Sequence, residues 1–265
     1  MKINKNAIGI FDSGVGGTSI WKEIVQTLPN ENTIYLSDSK NAPYGQKSKE
    51  KIIELSIKNT ELLLKKGCKM IVVACNTATT NAIKILRKKY DVPFIGIEPA
   101  IKPASLATKT NVIGILATKG TLNSDLFEKT SSKIDDEIVV LEQVGEGLVE
   151  LIENGEIDSV KMTSLLEKYL QPMVVRNVDA IVLGCTHYPY LIKKIREIVG
   201  NDIKIIDSGE AVARQTKAIL EKHKLSFSGL NEKTNHQFYI NQPKENLSSL
   251  IKEYKKNITI KELDF

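Results

Sequence analysis

Short runs of β-branched residues recur along this chain, each followed by a stretch whose apolar positions return every three or four residues. Residues 7–11 (AIGIF) read as a strand and 17–28 (GTSIWKEIVQTL) as an amphipathic helix. The alternation continues with a strand at 33–37 (TIYLS), a helix over 48–66 closed by Gly67, and a strand at 70–74 (MIVVA). A helix over 77–90 and a strand at 93–97 (PFIGI) complete the first series. Later, 210–222 (EAVARQTKAILEK) reads as a helix, 236–240 (HQFYI) as a strand and 245–255 as a helix. The strands are continuous Val/Ile runs, not apolar/polar alternations. Such runs belong to strands covered on both faces, so the predicted class is α/β: mostly parallel sheet flanked by helices.

The pattern restarts after residue 100. IGIFDS at 8–13 returns as IGILAT at 113–118, VVACNT at 72–77 as VLGCTH at 182–187, and PFIGIEP at 93–99 as IKIIDSG at 203–209. Three ordered matches at nearly constant offset read as an internal duplication, against the plainer alternative of two generic Val/Ile-rich units. The expected organisation is two pseudo-symmetric α/β domains. Residues 1–97 plus 209–265 form the first, completed by the returning tail, and 98–208 form the second. Two chain crossings, near 98 and near 209, would make a hinge beside an interdomain cleft, where the active site is expected.

Composition narrows the class. No apolar run reaches the 18 or more residues of a membrane span. The opening MKINKNAIGI lacks a signal peptide's apolar centre, so the expected location is cytoplasmic. The net charge of +5 comes from lysines spread along helix-like stretches, a solvated face and not a nucleic-acid surface. Three cysteines without a repeated spacing do not make a disulfide framework.

Two of those cysteines, Cys75 and Cys185, end matched strands and are followed at once by small polar residues. In a parallel sheet, ligands gather beyond the carboxyl ends of the strands. A helix following each cysteine would lower its thiol pKa. Two opposed thiols suit proton removal from one face of a carbon and return to the other, which is racemisation or epimerisation. Asn76, Thr77 and Thr186 are candidates to stabilise the enolate-like charge. Cys68, outside the repeat, reads as structural. Cys185 and His187 fall short of a zinc site, which needs three or four ligands; His187 reads better as a partner of the thiol. DSGVGG at 12–17 reads as a glycine-rich anion-binding turn, with Asp12 as an acid/base helper or a helix cap. In DSKNAPYG at 38–45, Tyr44 and Gly45 offer hydroxyl and backbone donors, or form a plain surface turn.

FDSGVGG (11–17), SDSKNAPYG (37–45), ACNTAT (74–79), GIEPA (96–100), GCTHYP (184–189) and DSGE (207–210) stand in the order found in glutamate racemases, which this chain resembles from residue 8 to at least 212. The resemblance implies an active site between the two domains, with no cofactor and no metal. The family's catalytic cysteines fall on Cys75, acting on D-glutamate, and Cys185, acting on L-glutamate. Asp12 and His187 would be the acid/base assistants, with Glu153 as the carboxylate supporting the histidine. Substrate contacts fall on Asp12, Ser13, Tyr44, Gly45, Asn76, Thr77, Thr118, Thr121, Thr186 and His187. The resemblance further implies D-glutamate supply for peptidoglycan; an aspartate racemase or related two-cysteine racemase is the alternative. The expected partner is small-molecule glutamate, not nucleic acid or membrane, and the expected assembly is a homodimer.

Overall fold

A computed structural model of the chain describes residues 6–227, 233–254 and 257–265. The first series comprises β1 (Ile8–Asp12), α1 (Thr18–Thr27), β2 (Thr33–Ser37), α2 (Lys49–Lys65), β3 (Met70–Val73), α3 (Asn76–Lys89) and β4 (Phe94–Gly96). The chain then runs through α4 (Ile101–Ala107), β5 (Val112–Ala117), α5 (Lys119–Leu122), α6 (Asp125–Ser131), β6 (Val139–Val144), α7 (Leu148–Glu153) and α8 (Val160–Val175). It continues through β7 (Ala180–Gly184), α9 (Ile192–Val199) and β8 (Lys204–Ile206). The tail supplies α10 (Gly209–Lys222), β9 (His236–Ile240), α11 (Glu245–Leu250) and β10 (Ile258–Glu262).

Two sheets form, both with parallel pairing throughout: β10-β9-β2-β1-β3-β4 and β6-β5-β7-β8. The second repeats the order β2-β1-β3-β4 of the first, and the register repeats with it. Ile8 faces Met70 across β1 and β3, while Ile113 faces Ala180 across β5 and β7. The third sequence match slips by one residue: Ile71 pairs with Phe94, but Ile181 pairs with Ile205, not with Lys204.

Period-two alternation divides the strand residues between layers. Ile8, Ile10 and Val72 face a core that also holds Leu116, Leu148, Leu183 and Tyr188 of the second unit, so the two lobes share one apolar cluster. Phe11, Ile71 and Val73 face the opposite layer under α2 and α3. The tail adds Phe238, Ile240 and Leu247 to the shared cluster.

One predicted helix ends early, and the last strand was not predicted. The helix expected over 245–255 stops at Leu250 and gives way to a 3₁₀ turn at Lys252–Tyr254; residue 255 lies outside the described residues. β10 escaped the pattern because its ITIKE is an exposed edge strand with only half-buried isoleucines.

Candidate active site

β1 and β3 end side by side, and the loops that follow carry Asp12, Ser13 and Cys75; β5 and β7 do the same for Thr118, Cys185, Thr186 and His187. The two sets meet. Ser13, Tyr44, Gly45, Cys75, Asn76, Thr77 and Thr118 line one cavity together with Cys185, Thr186 and His187. Its volume is about 10 Å3, the room of a single water. Both sulfurs therefore border one space between the lobes.

Cys75 caps α3, its sulfur accepting the Ala78 N–H at 3.4 Å, while its own S–H reaches Ser13 Oγ at 3.6 Å. Helix position was expected to lower its pKa. Burial wins instead and pushes the Cys75 thiol well above its ordinary range, with the nearby Asp12 carboxylate adding to the rise. Cys185 is not at a helix start: a 3₁₀ turn at Tyr188–Leu191 separates it from α9, which opens only at Ile192. Its neighbour is His187, whose Nδ1 lies 3.7 Å from the sulfur.

His187 Nε2 lies 2.5 Å from Glu153 Oε1. Burial opposes a charge on this ring, but its bonds to Cys185 and Glu153 carry its pKa well above the usual histidine value. Both ring nitrogens then hold hydrogen, Nε2–H donating to Glu153 and Nδ1–H facing the sulfur. The Gly16 N–H sits 3.2 Å from the same Nε2, a contact only a neutral ring could accept. The shorter carboxylate contact decides that Nε2 carries a hydrogen. Glu153 also accepts from the Val15 N–H at 2.7 Å and the Ser39 hydroxyl at 2.7 Å, so one carboxylate ties α7 to two loops of the other lobe.

Asp12 is fully buried and lies one layer behind the cavity wall. Its Oδ2 accepts the N–H groups of Gly14 (3.2 Å) and Gly17 (2.8 Å), and its Oδ1 accepts the Thr186 hydroxyl at 3.3 Å. Burial raises its pKa from 3.8 to about 6, with the charge of His187 opposing the rise. The DSGVGG turn does bind anions, but they are the protein's own: Asp12 and Glu153 occupy its N–H groups.

Thr77, Thr118 and Thr121 form a triangle of hydroxyls across the interlobe seam, 2.8, 3.0 and 3.3 Å apart; Thr121 stands behind the other two and does not line the cavity. Asn76 is buried with both side-chain amide atoms unpaired, and an unpaired buried amide is costly unless a ligand completes it. The Tyr44 hydroxyl, read from sequence as a donor to a ligand, turns away and donates to Asp38 Oδ2 at 2.5 Å. Tyr44 and Gly45 still line the cavity.

Sequence reasoning missed Pro43 and Val149 in the cavity wall, Asp38 behind Tyr44 and Ser39 on Glu153. Asp38 and Ser39 directly follow β2 and were findable as polar groups at a strand's carboxyl end; Val149 carries no such signal. Among the described residues, no three or more His, Cys, Asp or Glu side chains gather as a metal site. No helix among them is long and apolar enough to cross a membrane.

The pattern of the Asp/Glu/Hydantoin racemase family matches residues 8–216. This chain belongs to that family. It is similar to a glutamate racemase of Ralstonia pickettii, 47% identical over 222 residues, covering 84% of this chain and 79% of the relative. A glutamate racemase of Cupriavidus pinatubonensis is 45% identical over 224 residues, covering 84% and 82%. Among solved structures, a glutamate racemase isoform of Bacillus anthracis superimposes with a TM-score of 0.87 at 31% identity, covering 99% of this chain and 98% of that one. The Escherichia coli glutamate racemase, solved with L-glutamate and an activator, gives 0.84 at 30% identity, covering 98% of each chain.

Proposed function

We propose that this protein interconverts L- and D-glutamate by two-base proton transfer, without a cofactor. One observation carries the reading: thiols from two duplicated units border one small cavity, each with its own ionisable helper. A two-base racemase needs one thiolate and one thiol at the start of each turnover. Burial keeps the proton on Cys75, and the His187 ring stands 3.7 Å from the Cys185 sulfur on the other side. In the L-to-D direction, the Cys185 thiolate takes the α-proton, the electron pair passes into the α-carboxylate as an enolate-like charge, and Cys75 delivers its proton to the opposite face. In the reverse direction the roles exchange. His187 and Asp12 steady the proton on, or the charge of, the sulfur each one serves.

Acid–base transfer of this kind contributes roughly 10²–10⁴-fold. The remaining acceleration is assigned to preorganised donors: the unpaired Asn76 amide, the threonine hydroxyls and Thr186. A molecule of glutamate's size does not enter a space of about 10 Å3, so binding requires the lobes to part.

Polarimetry with each enantiomer and no added cofactor is expected to show decay of rotation to zero. In D2O the product should carry deuterium at the α-carbon. Cys75→Ala and Cys185→Ala should each lower racemisation by more than about 10³-fold. A double variant that still equilibrates the enantiomers would end the two-base reading. Turnover of aspartate in preference to glutamate would redirect it to the aspartate racemases. Supply of D-glutamate for peptidoglycan is tested by complementing a bacterial D-glutamate auxotroph. The expected homodimer is tested by sedimentation equilibrium, where a monomer would remove it.

A further inference from the structure

Glu153, which backs His187, stands at the last position of α7, a helix of six residues. A helix that short has almost no stability of its own and leaves its final carbonyls without partners. The backbone N–H groups of Asn154 and Glu156 take Glu150 O and Leu151 O, and one side chain from outside the second unit reaches the last two carbonyls. The amide nitrogen of Asn246, in α11 of the tail, donates to Ile152 O at 2.7 Å and to Glu153 O at 2.7 Å. Ile152 O also receives the Gly155 N–H at 3.0 Å. Gly155 has a φ of +76°, and a Cβ there would face Asn246 Oδ1 at 3.5 Å, so the amide is fitted closely against the end of the helix. α11 itself is held by Leu247 in the shared core.

We propose that Asn246 is a positioning residue for the Cys185 side of the active site: its amide caps α7 and thereby fixes the Glu153 carboxylate against His187. The tail thus serves the reaction as well as the fold, because the residue that steadies the second unit's acid/base assembly is delivered by a segment hydrogen-bonded into the first unit's sheet. The inference rests on the reading that His187 and Glu153 assist Cys185. Misplacing a catalytic group by about an ångström can cost on the order of 100-fold in rate.

Asn246 is half-buried on a short surface helix, so its variants are expected to keep the wild-type circular dichroism. Asn246→Ala should lower kcat on the order of tenfold or more with little change in KM. Asn246→Asp keeps the shape but replaces the donor with an acceptor facing two carbonyls, and should be no better than the alanine. Added to Glu153→Gln, Asn246→Ala should cost little more, because both act through one carboxylate. The titratable groups facing His187 are Cys185, Glu153 and Asp12. Its imidazole resonance should titrate nearer the ordinary histidine value in Asn246→Ala than in the wild type. An Asn246→Asp protein with wild-type kcat, full additivity with Glu153→Gln, or an unmoved His187 midpoint would each overturn the proposal. The His187 titration needs no turnover, so it decides on Asn246 even if the wild-type protein proves inactive on glutamate.

Discussion

Asp12 shows how one buried carboxylate links stability to chemistry. Its carboxyl keeps a proton up to about pH 6 in the fold, against 3.8 for an ordinary aspartate. The folded state therefore binds more protons than the unfolded state between those values. Stability falls as pH rises from about 4 to about 6, and the deficit persists above. Asp12→Asn removes the buried charge. It should raise the unfolding free energy at pH 7–8 by about 1–3 kcal/mol, give no gain below about pH 4, and abolish most racemisation. Thermal unfolding of both proteins across that pH range measures this; an Asp12→Asn variant less stable than the wild type at the alkaline end would refute it. His187 has the same sign by the opposite chemistry. Its raised pKa contributes stability that is complete below the ordinary histidine value and is lost as pH climbs through the folded one.

At the scale of elements, the turn between β1 and α1 is the piece whose sequence admits least change. A Cβ on Gly14 would collide with the Glu153 carboxylate, and one on Gly16 with the His187 ring. On Gly17 it would stand 2.9 Å from the Ala74 carbonyl. Gly14 and Gly16 are there for close approach between lobes, the absent side chains leaving the space that Glu153 and His187 fill, while Gly17 makes room within the first unit. Gly16→Ala should displace the imidazole and cut kcat by on the order of 100-fold, while overpacking costs about 1–3 kcal/mol of stability. Steady-state kinetics beside a urea melt separates the two effects; unaltered kcat would show that the ring has room to move.

For the whole molecule, the shared apolar cluster and the tail govern cooperativity. Ile8, Leu148, Leu183 and Phe238 belong to one core although they come from both units and the tail. A single calorimetric transition with equal van 't Hoff and measured enthalpies is expected, not one per lobe. A chain ending at Lys222 would lose β9 from beside β2, together with Phe238, Ile240 and Leu247. It should not reach the native far-ultraviolet spectrum; a folded, active truncation would contradict this account of the tail. The closed cavity also predicts that saturating glutamate alters amide exchange along the seam at 76–79 and 118–121, where the threonine hydroxyls join the lobes.

The sequence by itself determined the periodic elements, the parallel sheets and the duplication, because Val/Ile runs, glycine stops and matched strand ends are local features repeated in order. It also placed Cys75 and Cys185 at the ends of equivalent strands, although only Cys75 opens a helix directly. What it did not determine was the state of those groups. The thiol expected to be acidified at a helix start is held protonated by burial and by Asp12, and burial is a sum over neighbours from distant segments. The Tyr44 hydroxyl faces Asp38 and not the cavity, β10 is carried by its neighbours, and Val149 lines the site from a helix with no chemical signature. Only tertiary packing decided these, because a residue's charge, orientation and exposure depend on what packs against it.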